Sequence, residues 1–485
     1  MVETKSLFQR ENDHLLFDDI NLEKEIAKVY GTPLYIFSES QLNNNISRIQ
    51  QAFQKCYSNS IIAYSVKNNM IKGILKVIAN ELEHFEITSL GEFRIVEQVI
   101  KEHKKPLTII QTNLYKSDQL IEKLLYFPEL MERKFSIAPC ESILAIDSYQ
   151  DFQRVEQIAQ KTNKKPKVIV RVNPGIKMAL EETIFASAIP SSKCGLIIKD
   201  TQPIIEASDD PTISSWLSKR KAPPKKDFAE KVLHEINDSP HLNLVGLHGH
   251  LGSQVTNLDY FQHFFHVIAI FYREMQEKLG KQLSILDLGG GYPVTYSSSA
   301  SPPSIEQIAE TLSSELQKTS IYPQLFIESG RFITASAAIL LSKVLITKEN
   351  PMGGKIAIMD FSVYSDLLDV LVAQWTFESQ LVTNLPQQNT KKTQKANDWQ
   401  LVGITNDTMD RLNPRKITCQ ACGEPINPSK ERSFPRDLKP GDLIAIKNTG
   451  AYTTCFNSNY CGKPKPAIIL LYKQKPRITP LRLCY

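Results

Sequence analysis

At 485 residues, with 57 basic and 52 acidic side chains and a net charge of +5, the chain is long enough for two domains and a large core. A charge so close to balance argues against a nucleic-acid partner. The basic runs Lys219–Lys226 and Lys391–Lys395 sit among Pro, Ser, Asn and Gln and read as solvated loop insertions. Eight scattered cysteines do not make a disulfide scaffold, the first residues lack the apolar core of a signal peptide, and no run reaches membrane-spanning length. A cytoplasmic protein with no membrane partner is the expectation.

In chain order, a short apolar strand, Pro33–Phe37, precedes a helix capped by Ser38 or Ser40 and running toward Phe53. From Ile61 onward, apolar runs alternate with helical periodicity. Strands are expected at Ile61–Val66, Phe85–Thr88, Leu107–Gln111, Ile143–Ile146, Val168–Val172, Leu244–His248, Leu283–Leu288 and Gln324–Ile327. Helices are expected at Ile71–Leu82, Leu90–Ile100, Ser117–Leu125, Tyr149–Gln160, Leu258–Leu279 and Ile305–Gln317. This rhythm predicts an α/β fold, a (β/α)8 barrel of TIM type, with an open doubly wound sheet as the alternative. After Ala335 the segments turn strand-like: Ala338–Ile346, Lys355–Phe361, Trp399–Ile404, Asp442–Lys447 and Ala467–Tyr472. The expected division is a barrel over residues 41–335 and a β domain over 336–485 that also takes in the N-terminal segment 1–40. Residues 208–227 and 384–397 interrupt the pattern as polar insertions and read as mobile loops.

The stretch Ala63-Tyr64-Ser65-Val66-Lys67-Asn68-Asn69 ends an apolar run in one amine. At the carboxyl end of a barrel strand such a lysine can form a Schiff base with a carbonyl; on this stretch alone, a solvated lysine is the favoured reading. His248-Gly249-His250-Leu251-Gly252-Ser253 follows another strand and offers two histidines on one side of an extended chain, then a Gly-Ser pair suited to an anion. Zinc ligands or core histidines are the alternatives, and the sequence offers His-x-His no further ligand nearby. In Leu286-Asp287-Leu288-Gly289-Gly290-Gly291 the three glycines let backbone approach a phosphate, unless they form only a tight turn. Ile327-Glu328-Ser329-Gly330-Arg331 places a carboxylate able to keep a pyridine nitrogen protonated beside an arginine able to grip phosphate or carboxylate; an ordinary ion pair is the alternative.

Taken together in this order, and with Thr32-Pro33-Leu34-Tyr35, Arg171-Val172-Asn173-Pro174-Gly175 and Lys463-Pro464-Lys465-Pro466, the segments resemble the fold-type III pyridoxal phosphate decarboxylases. Within that group, Gly450-Ala451-Tyr452 and the following Ser458-Asn459-Tyr460 are most similar to diaminopimelate decarboxylases. The resemblance implies pyridoxal 5'-phosphate held by Lys67, stacked under His250, with its ring nitrogen paired to Glu328. It implies phosphate contacts from Ser253, Gly289, Gly290, Gly291, Ser329, Gly330 and Arg331, with Tyr452 close by. It further implies a homodimer with shared active sites, and a small amino acid substrate touched by Arg331, Tyr452 and Glu424. Cys422, with Cys419 as its rival, would return a proton after carbon dioxide leaves.

The match departs in two places. An Arg-Pro-x-Leu-Tyr segment that grips the far end of the substrate is missing from Asp360–Leu371, where Asp369 stands instead. An anion there disfavours a distal carboxylate and suits a distal amine. The cysteine segment carries Gly423 between Cys422 and Glu424. The first expectation is therefore α-decarboxylation of meso-diaminopimelate to lysine. The alternatives are decarboxylation of ornithine, lysine, arginine or carboxynorspermidine, a racemase on the same barrel, or a catalytically silent binding homologue.

Overall fold

The computed structural model describes residues 7–178, 185–198, 228–297, 300–350, 354–373, 375–383, 399–412, 433–472 and 479–481. Eight parallel strands, Ser60–Ser65, His84–Ile87, Thr108–Gln111, Glu141–Ile146, Lys167–Asn173, Asn243–His248, Ile285–Asp287 and Gln324–Ser329, pair in chain order. The last pairs with the first, Glu328 opposite Ala63, and the sheet closes into a barrel. The open-sheet alternative is thereby set aside. All eight strands fall on the runs expected from the sequence, because each is a near-continuous apolar segment buried on both faces. Ala63, Ile110, Ile143, Ala145, Ile169, Ile285 and Phe326 pack together as a buried cluster, while the main core lies between strands and helices. Gly246 is required where neighbouring strands press together, since a Cβ there would stand 1.9 Å from the Ile285 carbonyl oxygen.

Serines start most of the barrel helices. Ser38, rather than Ser40, caps Glu39–Cys56 by accepting from Gln41 N at 3.0 Å. Ser89, Ser117 and Ser148 do the same for the helices that follow them, and Ser304 forms a capping box with Gln307. The helix expected over Ser117–Leu125 instead runs Asp118–Phe135, straight through Pro128. Proline has no N–H for the carbonyl four residues back. Here that carbonyl, Leu124 O, accepts from Ser142 Oγ at 2.7 Å, so the lost bond is replaced from the neighbouring strand. The helix Ala229–Asp238, with Val232, Leu233 and Ile236 buried, was not read from the sequence.

A second sheet runs in the order Ser379–Leu381, Leu443–Lys447, Ala338–Glu349, Leu34–Ser38, Ala467–Leu471, Thr479–Leu481, with Lys355–Met359 branching from Ala338–Glu349 and Trp399–Val402 pairing in turn with Lys355–Met359. The N-terminal strand Leu34–Ser38 lies inside this sheet, antiparallel to Ala338–Leu341 and parallel to Ala467–Leu471. Chain ends some 430 positions apart in sequence thus share one set of backbone hydrogen bonds. The insertions at 208–227 and 384–397 lie outside the described residues.

Replacing Ser142 by alanine leaves Leu124 O without its donor and is expected to cost about 1 kcal/mol in urea unfolding. Combined with Pro128→Ala, which restores a backbone N–H, the same Ser142→Ala change is expected to cost clearly less. Equal costs in the two backgrounds would mean the hydroxyl does not substitute for the missing bond.

Candidate active site

The carboxyl ends of the barrel strands border a cavity of about 290 Å³. Lys67, His250, Ser253, Gly290, Gly291, Glu328, Ser329, Gly330, Arg331 and Tyr452 all line it. Residues separated by almost the whole chain thus converge on one space, as strand ends of a closed barrel require.

Lys67 sits in a tight turn, Val66–Asn68, immediately after the first barrel strand. Its Nζ lies 2.7 Å from Glu86 Oε2. Glu86 is fully buried, and its other oxygen accepts from Thr112 Oγ1 at 2.6 Å. Arg171 donates to Thr112 O at 3.1 Å and extends the chain of polar contacts. Burial disfavours charge on the Lys67 amine, but the acids around it, Glu86 foremost, outweigh it and hold the amine above the ordinary lysine range. Paired with Glu86, the amine is therefore protonated.

The two asparagines that follow fasten this turn. Asn68 Nδ2 donates to Thr334 Oγ1, and Asn68 O accepts from Tyr452 N at 3.0 Å. Asn69 Nδ2 donates to Gly450 O at 3.0 Å. Tyr452 adopts a left-handed φ of 59°, uncommon for an aromatic residue, and this contact holds it there.

The two histidines do not share a role. The strand ends at His248, which is fully buried with Nε2 3.4 Å from Glu328 Oε1. His250 lines the cavity instead. Ser187 Oγ donates to His250 O at 2.7 Å and sits 2.8 Å from His250 Nδ1, so Nδ1 carries the ring proton toward the hydroxyl. Burial, then the charges of Lys67 and Arg171, push His250 well below the ordinary histidine range, and the ring is neutral.

Glu328 is 1 % exposed, and both its carboxyl oxygens lack a hydrogen-bond partner among the described residues. Burial, then Asp287 and Glu86, push it well above the usual carboxylate range. On the opposite side, Arg331 Nη1 donates to Tyr296 OH at 2.6 Å and Nη2 to Ser253 Oγ at 3.1 Å. Its guanidinium lies between the rings of Trp375, 4.0 Å away, and Tyr452, 4.7 Å away. Beside it Gly291 has φ +115°, and a Cβ on Gly290 would stand 2.7 Å from Glu328 O. The glycine turn therefore admits only bare backbone at that wall.

Two of the named residues, Gly289 and Asp369, stand apart from the cavity wall. Gly289 is behind it, accepting from Glu328 N at 2.9 Å. Asp369 is 3 % exposed and does not line the cavity; burial pushes its carboxyl up to about 6 against the pull of Arg331. Cys422, together with Cys419 and Glu424, lies outside the described residues. The cavity also uses residues that the sequence did not single out for it: Glu86, Arg171, Ser187, Tyr296 and Trp375. The one available signal for Glu86 was an acid embedded in the apolar strand His84–Ile87.

A family model described as the pyridoxal-binding domain of pyridoxal-dependent decarboxylases matches residues 43–214 and 211–335. The chain belongs to this family. It is a pyridoxal phosphate-dependent carboxy-lyase by membership, and the cavity fits that cofactor: an amine for the aldehyde, an unpaired buried carboxylate for the ring nitrogen, and bare glycine backbone with an arginine for the phosphate. Over the full length it is similar to diaminopimelate decarboxylases of Staphylococcus aureus (26% identical, covering 96% of this chain and 94% of the relative) and Haemophilus influenzae (25%, covering 96% and 94%). Among solved structures, diaminopimelate decarboxylase from M. jannaschi matches with a TM-score of 0.74 at 21% identity, covering 98% of this chain and 94% of that one. The Helicobacter pylori enzyme complexed with L-lysine matches with a TM-score of 0.71 at 22% identity, covering 95% and 96%. These structural likenesses establish that this decarboxylase has the same barrel and β-sheet architecture.

Asp369 generates a pH prediction. An acid raised from 3.8 to about 6 by folding favours the native state below about pH 4 and loses that advantage as pH rises through about 6. Asp369→Asn has no such dependence. Its stability relative to the parent should therefore rise by up to about 3 kcal/mol between about pH 4 and pH 7. Urea titrations at both ends of that range measure it; a constant difference would mean Asp369 is not raised.

Proposed function

We propose that this decarboxylase removes one carboxylate from meso-diaminopimelate and yields L-lysine and carbon dioxide. The observation that carries the reading is a protonated, carboxylate-paired Lys67 at the mouth of the first barrel strand, facing Arg331 and the glycine turn, in a chain that aligns end to end with diaminopimelate decarboxylases. When bound, pyridoxal phosphate supplies the electron sink that makes a carboxylate a leaving group.

The chain's own groups do the rest. Lys67 Nζ must lose a proton before it can bond the cofactor's aldehyde, and Glu86 Oε2 is the acceptor within reach. Arg331, Ser253, Gly290 and Gly291 would hold the phosphate, with Ser329, Gly330 and Tyr452 at its edge, while Gly289 would support them from behind the wall. Neutral His250, fixed by Ser187, would cover one ring face without adding charge. Glu328 would keep the ring nitrogen protonated. Cys422, supplied by the second subunit of a homodimer, would deliver the final proton, with Glu424 near the substrate; Cys419 is the rival donor. Asp369, behind Arg331, would act on the substrate's distal group only through its charge.

A second reading rests on one observation. Leu368 and Asp369 occupy the stretch where diaminopimelate decarboxylases present an arginine, so a substrate with a distal amine, such as ornithine or lysine, is the competitor. Carbon dioxide release from purified protein should be fastest with meso-diaminopimelate among this substrate, lysine, ornithine, arginine and carboxynorspermidine. Faster turnover of a substrate lacking the distal carboxylate would replace the first reading with the second. Borohydride reduction of the loaded protein followed by peptide mapping should label Lys67 alone, and Lys67→Ala should neither take the label nor turn over. A label on another lysine would refute the assignment.

A further inference from the structure

We propose that Asp287 and Glu328 share a single proton, and that Asp287 is the positioning residue that allows Glu328 to present a charged oxygen to the cavity. The idea rests on the reading above, in which Glu328 faces the cofactor's ring nitrogen.

The two acids end neighbouring strands, Ile285–Asp287 and Gln324–Ser329, and both are sealed from water. One oxygen from each and a ring nitrogen of His248 lie within 4.8 Å of one another. Asp287 Oδ1 is held by Gly289 N–H at 2.9 Å, but Oδ2 has no hydrogen-bond partner among the described residues. Neither oxygen of Glu328 has one. The cations nearby are engaged elsewhere: Lys67 bonds Glu86, and Arg171 bonds Thr112 O and faces Asp147 at 3.6 Å. Burial and the charges of Arg171 and Lys67 keep His248 neutral. Glu86 adds another negative charge to both acids, and Tyr292 OH feels both. Two buried carboxylates facing each other, with the side-chain cations around them engaged elsewhere, share a proton rather than both ionise. Burial first, then the neighbouring acids, push Asp287 up to about 7 and Glu328 well above the usual carboxylate range.

Without cofactor the proton rests mainly on Glu328. When a protonated ring nitrogen stands before Glu328, its O–H bond breaks and an O–H bond forms at Asp287 Oδ2. The proton stays within the pair, no other reagent is consumed, and the pair keeps one negative charge, now directed at the cavity. Asp287 thus acts through Glu328 and touches neither substrate nor cofactor.

The infrared C=O stretch of a protonated carboxyl reads this directly, in holoenzyme and in cofactor-free protein. Spectra of Asp287→Asn/Glu328→Gln provide the baseline that removes other buried acids such as Glu92 and Asp369. Above that baseline, the parent protein should show one carboxyl near pH 7 with or without cofactor. Asp287→Asn holoenzyme should lose it, because Glu328 is then ionised with nowhere to store the proton. In cofactor-free Asp287→Asn or Glu328→Gln, the surviving acid should titrate at least one pH unit below the pair. Two further results would overturn the proposal: no band in the parent near pH 7, or a band that persists in Asp287→Asn holoenzyme. If no variant or parent ever develops the cofactor's visible absorbance, the decarboxylase reading fails, while the cofactor-free spectra still decide whether the proton is shared.

Discussion

The contact between Lys67 Nζ and Glu86 Oε2 decides what the rest of the site can be. Glu86 has no exposed surface, and an unpaired carboxylate at that depth would cost several kcal/mol in lost hydration. One amine and one hydroxyl, from Thr112, offset that cost. The pairing fixes the amine at the rim of the barrel and keeps it charged until something replaces it. It also leaves Glu328 and Asp287 without a counter-ion of their own. A positively charged ring nitrogen entering the cavity would therefore meet a place already short of positive charge.

The opposite wall inverts this arrangement. Arg331 is nearly buried, yet its guanidinium bonds a hydroxyl on each side and lies between two aromatic rings rather than against a carboxylate. Aromatic faces stabilise a cation without neutralising it. The guanidinium keeps its charge for an incoming anion, while the glycine turn beside it leaves room for one. Acids gathered at one edge and an unneutralised arginine at the other make the cavity a matched host for a ligand that is cationic at one end and anionic at the other.

Much of this was legible before any coordinates. The barrel strands are readable because each is an apolar run that stops at a polar or glycine-rich turn, and those stops are where Lys67, His250, Gly289–Gly291 and Glu328 fall. What sequence could not supply is the third dimension between strands. Glu86 is one acid in a strand until the neighbouring strand end sets an amine against it. His248 and His250 look equivalent until the strand ends at the first and turns the second into the cavity. The early stop assigned to the helix after Ser117 reflects local propensity near Pro128, which a serine from another element overrides. Trp375 and Tyr296 carry no motif at all; only the folded chain brings them to Arg331.

The asparagines after Lys67 have a mechanical meaning. Through Gly450 O and Tyr452 N they tie the amine-bearing turn to a loop that continues from the strand Leu443–Lys447 of the second sheet. That sheet is itself knitted from both ends of the polypeptide. Any slippage of one body against the other therefore pulls on the peptide groups adjoining the reactive nitrogen. Architectural integrity and chemical readiness become a single variable, sensed at one short turn.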